Sequence, residues 1–169
     1  MAEGHDSDRW STQELITATG CCSLLLCVLV ICVVSAFHRM EGDFAICRLE
    51  PNQPIPDWAF TGAFVSLTRT ANELSIVGSA EAVPQSVRAE NGWIGFKLEG
   101  PFAFSETGVL ASFLDPLAER HVPVFAVSTY DTDYLFIKRE FTGSALAALI
   151  EAGHELSAKG SVEGPVFRK

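Results

Sequence analysis

The sequence predicts an α+β fold of two successive βαββαβ units, the first degenerate, placed after an N-terminal hydrophobic helix. Three observations lead there. Val109, Leu110, Phe113, Leu114 and Leu117 recur at helical spacing, and Leu146, Leu149 and Ile150 do so again further on. Between these two periodic segments stand two β-rich runs, Val122 to Ser128 and Tyr134 to Arg139, parted by a short polar turn. No charged residue occurs from Leu15 to Phe37, and a helix needs about 20 apolar residues to span a bilayer.

The N-terminal region divides into a polar leader, residues 1–14, and the apolar run, residues 15–37. Val34-Ser35-Ala36 offers the small residues of a signal-peptide cleavage site. The leader argues the other way, because Glu3, Asp6, Asp8 and Glu14 outnumber Arg9 where a signal peptide carries positive charge. A membrane anchor is the better physical reading, and His38 and Arg39 after the run place the remainder on the cytosolic side. A third reading starts translation at Met40, giving a cytoplasmic protein whose domain is complete without the run.

A first unit is expected over residues 44–92. Phe44 to Leu49 reads as a strand, and Pro51, Pro54 and Pro56 impose an extended connection. Phe64 to Thr70 and Leu74 to Gly78 form a hairpin about Ala71-Asn72-Glu73, with Asn72 available for the turn. A short helix opened by Pro84 is expected within 81–90.

The second unit is expected over residues 93–159. Trp93 to Leu98 is its first strand, ended by Gly100-Pro101. The helix from about Thr107 to Arg120 carries Pro116, which removes a backbone donor and costs about 3 kcal/mol, so a kink is expected. Thr142 is placed to cap the second helix and Gly153 to end it. His154 to Lys159 is the last strand, and residues 160–169 form a tail. This order is that of a ferredoxin-like sandwich.

Composition excludes several functions. A net charge of -9, with Lys and Arg scattered singly, argues against nucleic acid. Four of the five cysteines, Cys21, Cys22, Cys27 and Cys32, lie in the apolar run, leaving Cys47 alone in the domain. Neither a disulfide framework nor a zinc site follows from that spacing, and free thiols fit a cytosolic domain. His5, His38, His121 and His154 are isolated, Ser105 lacks a nucleophile elbow, and no glycine loop suits a phosphate. The chain is therefore read as no enzyme, without cofactor or metal.

Phe104-Ser105-Glu106-Thr107-Gly108-Val109-Leu110, Pro116-Leu117-Ala118 and the stretch from Val122 to Tyr134 resemble the ACT family. Thr70 to Ser75 and Glu99-Gly100-Pro101 strengthen the likeness, which is greatest to the tandem ACT modules of CASTOR-type arginine sensors and their small bacterial relatives. The resemblance implies a regulatory module that binds an amino acid at the seam between units and pairs with a second copy or a regulatory protein. It implies a ligand-cradling turn at Glu106, Thr107 and Gly108, faced by Ser128, Thr129, Tyr130 and Asp133.

The residues themselves leave alternatives open. Gly108 permits close approach to a helix start, where unpaired N–H groups favour a carboxylate, yet glycine is also the default residue of a tight turn. Glu106 suits a ligand ammonium or simply the helix dipole. Asp131 and Asp133 share a face if extended, or satisfy backbone donors in a turn. Ser128 and Thr129 serve a polar ligand or cap the turn. The leading expectation is an amino-acid sensor. The alternative is a protein–protein dimerisation module with no ligand, and a weaker third reading makes Glu106 and Asp133 an acid–base pair.

Overall fold

A computed structural model describes residues 34–158 of the chain. The expected leader, the tail and the hydrophobic helix as far as residue 33 lie outside the described residues, among which no helix is long and apolar enough to cross a membrane. Eight strands form one sheet: β1 (Ala36–Arg39), β2 (Phe44–Leu49), β3 (Ser66–Arg69), β4 (Leu74–Ser79), β5 (Ala89–Leu98), β6 (Val124–Ser128), β7 (Asp133–Lys138) and β8 (Glu155–Leu156). Two helices, α1 (Val109–Glu119) and α2 (Thr142–Glu151), belong to the second half.

The first half keeps the ferredoxin-like order, and in the second β1 takes the place beside β5 that the last strand would hold, with β8 outside it. In the first, β2, β3, β4 and β5 pair in the order β3-β4-β2-β5, and single 3-10 turns at Asp57–Phe60 and Ala80–Ala82 stand where helices would be. The helix expected within 81–90 does not form. A turn closed by Val87 N–H on the Pro84 carbonyl replaces it, and Ala89 and Glu90 are taken into β5 against Cys47 and Ile46. The hairpin turn is organised by Thr70 rather than Asn72, its hydroxyl accepting the N–H groups of Asn72 (3.1 Å) and Glu73 (3.2 Å).

In the second half β6 pairs with β7 and β7 with β5, with α1 and α2 over the sheet. The boundary expected between residues 92 and 93 falls inside β5. Its first residues pair with β2 and its later ones with β7, so the units share a strand rather than being joined by a linker.

Strand β1 corrects the sequence reading. Ala36 and Phe37, expected to end a helix, are extended, and β1 lies between β5 and β8, antiparallel to one and parallel to the other. Phe37 is 0% exposed and makes edge contacts with Phe96 at 5.8 Å and Phe113 at 5.7 Å. A chain beginning at Met40 therefore lacks a core strand, and the domain is not complete from there. The last strand is shorter than expected, two residues long, because its partner is this short β1.

Three apolar layers result. The largest packs Ile94, Phe96, Leu98, Leu135 and Ile137 beneath Val109, Phe113, Leu117, Ala145 and Leu149. A smaller one gathers Ala45, Cys47, Leu49, Ala59, Leu74 and Ile76. The third joins the other faces of the two sheet halves, where Phe44, Val77 and Phe136 meet Phe64, Phe125, Val127 and Tyr134. Gly95 belongs to this layer by necessity, since a Cβ there would stand 2.9 Å from both the Phe44 ring and the Met40 sulfur. Burial raises the pKa of the Cys47 thiol in the smaller core.

The two helix termini differ in how they follow expectation. Gly153 adopts φ 93 just after α2, as a C-terminal glycine should. Thr142 is the first residue of α2 and not its cap, because a 3-10 turn at Arg139–Phe141 runs straight into the helix. Its hydroxyl is buried without a hydrogen-bond partner among the described residues. Pro116 sits within α1, and the carbonyl its missing N–H would have engaged, Ser112 O, instead accepts from His154 Nε2 at 3.0 Å.

Phe37→Ala is expected to lower unfolding stability by about 3–5 kcal/mol, the range for emptying a buried aromatic site. A chain starting at Val34 is expected to unfold at higher urea than one starting at Met40. Equal midpoints for the two chains would show that β1 contributes nothing.

Candidate functional site

The loop after β5 and the turn between β6 and β7 meet at one end of the second unit. Thr129 closes that turn, its N–H and its hydroxyl both donating to Thr132 O, at 2.9 and 2.7 Å. Thr132 points inward and is buried, its hydroxyl donating to Leu98 O at 2.8 Å. Phe102 N–H then donates to Asp131 O at 2.9 Å, which ties the loop to the turn. Beyond that tie Phe104 and Tyr130 pack edge to face at 5.1 Å although 81% and 79% exposed. Burial, and then the neighbouring Asp131 carboxylate, push the Tyr134 phenol above its ordinary value.

Against this frame the candidate residues fall into groups. Ser128 donates to Asp133 through its hydroxyl, so these two are brought together. Thr129 is held by the turn, and Tyr130 by Phe104. Glu106, Thr107 and Gly108 are exposed at the start of α1, and no hydrogen bond joins them to the β6–β7 turn among the described residues. Gly108 has φ 84 and nothing within 4 Å of where a Cβ would stand, so its backbone conformation, not crowding, explains the glycine.

A separate groove of about 370 Å³ opens between the two units. Ser66, Thr68, Ser75 and Val77 of the β3–β4 hairpin line one wall, and Phe125, Val127 and Ser128 of β6 line the other. The register of the hairpin, Ser66 opposite Val77 and Thr68 opposite Ser75, puts these four side chains on one face. Among the described residues β3 and β6 each have a single neighbouring strand, β4 and β7, so strand edges border the groove. Ser128 is the candidate residue that lines it. Alternating hydroxyls at Ser66 and Thr68 of a predicted hairpin were the available signal for the opposite wall.

Among the described residues no cluster of three or more metal-ligating side chains occurs. The arrangement is suited to holding a small polar molecule by hydroxyls and strand edges against an apolar floor.

The sheet order, the shared strand and the seam between units define a tandem α+β module with a ferredoxin-like sheet. Residues 88–151 match the family model of the ACT domain, and residues 42–86 match a separate model described as an N-terminal domain. The Agrobacterium tumefaciens protein Atu0741, known from its crystal structure, is 41% identical, with a TM-score of 0.70 over 73% of this chain and 92% of that one. The chain belongs to the ACT domain family. Vibrio cholerae VC0802, described as a possible transport protein, is 24% identical with a TM-score of 0.57 over 69% of this chain and 88% of that one. The regulatory subunit of aspartate kinase from Thermus flavus is 13% identical with a TM-score of 0.53, over 71% and 98% of the two chains, and shares the fold. None of the curated proteins matches the chain.

Thr132→Val is expected to cost about 0.5–1.5 kcal/mol, since it removes the hydroxyl's hydrogen bond to Leu98 O, which keeps the one from Gly100 N–H, whereas Ser128→Ala at the exposed end of β6 stays within about 0.5 kcal/mol. Thermal unfolding of both variants tests this, and a reversed order would show that the turn is not anchored through Thr132.

Proposed function

We propose that the protein is a regulatory module that binds an amino acid, non-catalytically, in the groove between its two ACT-type units. The observation that carries the reading is the groove itself. Its volume falls within the range of about 300 to 1,000 Å³ common for small-molecule sites, and its walls come from different units, so a ligand there bears on both. The aspartate kinase regulatory subunit of similar fold is in keeping with such a role.

Ser128 is proposed as a ligand contact through its backbone, its hydroxyl being donated to Asp133. Glu106, Thr107, Gly108, Thr129, Tyr130 and Asp133 are proposed as the neighbouring surface through which the module meets a second copy or a regulatory protein. The exposed Phe104 and Tyr130 rings favour that assignment, because large aromatics in solvent commonly mark interaction surfaces. A dimerisation module with an empty groove is the competing reading.

Thermal unfolding of the full chain against a pool of amino acids decides between the two. A ligand at about 100 times its dissociation constant adds about 2.7 kcal/mol, an upward shift of about 5–10 °C for a chain of this length. No shift with any amino acid, together with a dimer by light scattering, would overturn the sensor in favour of the dimerisation module.

We further propose that the apolar run anchors the module to a membrane. Because Val34 and Ser35 are not helical and Ser35 is hydrogen-bonded to His154 and Glu155 of the domain, the span ends by residue 33, which leaves residues 15–33 for about 20 needed positions. Fractionation is expected to place the full chain in membranes and a chain starting at Val34 in the soluble fraction. Equal distribution would refute the anchor.

A further inference from the structure

The chemistry of the groove carries the reading one step further. Ser66, Leu67, Thr68, Ser75, Val77, Phe125, Ala126, Val127 and Ser128 form its lining, and none of them bears a charge. The nearest charged residues in sequence are committed elsewhere. Arg69, next to Thr68, donates its guanidinium to the carbonyl oxygens of Pro51 and Gln53. Asp133, opposite Ser128 in the β6–β7 pair, accepts the Ser128 hydroxyl. A ligand side chain carrying a net charge meets no counter-charge among the lining residues, and packing it on Val77, Phe125 and Val127 displaces its water without replacement. A zwitterionic head group is different, because its two charges offset each other and each finds hydroxyls or the strand edges of β3 and β6.

We infer that the groove selects amino acids with uncharged side chains, aliphatic or hydroxylated, and rejects arginine, lysine, aspartate and glutamate. This rests on the amino-acid reading given above. Val77, Phe125 and Val127 supply the apolar surface for an aliphatic side chain, and Ser66, Thr68 and Ser75 supply hydroxyl donors for the head group. Thr68 is the specificity position, since it lies on the exposed edge strand where a charge can be introduced without disturbing a core.

Isothermal titration of the full chain with valine, leucine, serine, threonine, arginine, lysine, aspartate and glutamate, each separately, tests the inference. At least one uncharged amino acid is expected to bind, and every charged one to bind about 100-fold more weakly or not at all. Thr68→Asp is expected to weaken the uncharged ligand about ten-fold and to admit lysine or arginine. Ser75→Ala is expected to weaken it about ten-fold with an unchanged circular dichroism spectrum, which keeps the test open if Thr68→Asp fails to fold. Arginine or glutamate binding the natural protein as tightly as valine would overturn the selectivity while leaving the sensor standing. Uncharged ligands bound with affinity unaffected by either substitution would overturn the groove as their site. Absence of binding by all eight would overturn the sensor and the selectivity together.

Discussion

Everything in the described structure depends on β5 serving two units at once. Its ten residues are wedged between β2 and β1 along one edge and β7 along the other, and the two pairings overlap at Trp93, which faces both Phe44 and Lys138. A strand so placed has no free edge near its centre, so the two units are held by backbone hydrogen bonds as well as by the side chains of the third apolar layer. The alternation of side chains along it then assigns each face. Ile94, Phe96 and Leu98 go under the helices, while Trp93 and Gly95 face the layer between the sheet halves. The aromatic packing of Phe44, Phe64 and Phe136 follows from that assignment, with ring centroids 5.2 to 6.1 Å apart. The groove lies at the margin of the same layer.

The second unit was legible in the sequence because its interactions are local and periodic. Val109, Phe113 and Leu117 are buried on one face of α1 as their spacing required, and the β6–β7 hairpin forms around the polar turn that separates its two apolar runs. The first unit was only partly legible, since helices cut to single 3-10 turns leave no periodicity to read. β1 was hidden for another reason. Its two leading residues close a long uncharged run, and what makes them a strand is pairing with residues about 60 and 120 positions away, a constraint that no local window contains.

The candidate site shows the same division. Ser128 and Asp133 were singled out, and a hydrogen bond joins them. Ser66, Thr68 and Ser75 carry no signal beyond ordinary strand hydroxyls, and they become neighbours of β6 only because the sheet halves meet face to face across the third apolar layer. A seam of that kind is a property of tertiary curvature. Glu106, Thr107 and Gly108 stand out both by a family motif and by the helix start they precede, and they are exposed at the start of α1.

Pro116 and His154 have a consequence for how the domain bears load. Because a carbonyl can only accept, the contact with Ser112 O takes a hydrogen from Nε2, and Nδ1 lies 3.3 Å from both the N–H and the carbonyl oxygen of Ser35. The ring is 3% exposed and stacked on Phe113 at 3.8 Å, so the residue just ahead of β1 is pinned to the core rather than left as a loose entry. A pull applied at Val34 runs along the axis of β1. The hydrogen bonds from β1 to β5 and β8 share that force in shear and yield together, instead of peeling one after another. A load entering at Val34 along β1 therefore meets the core through the β1–β5 pairing and the Ser35–His154 contact.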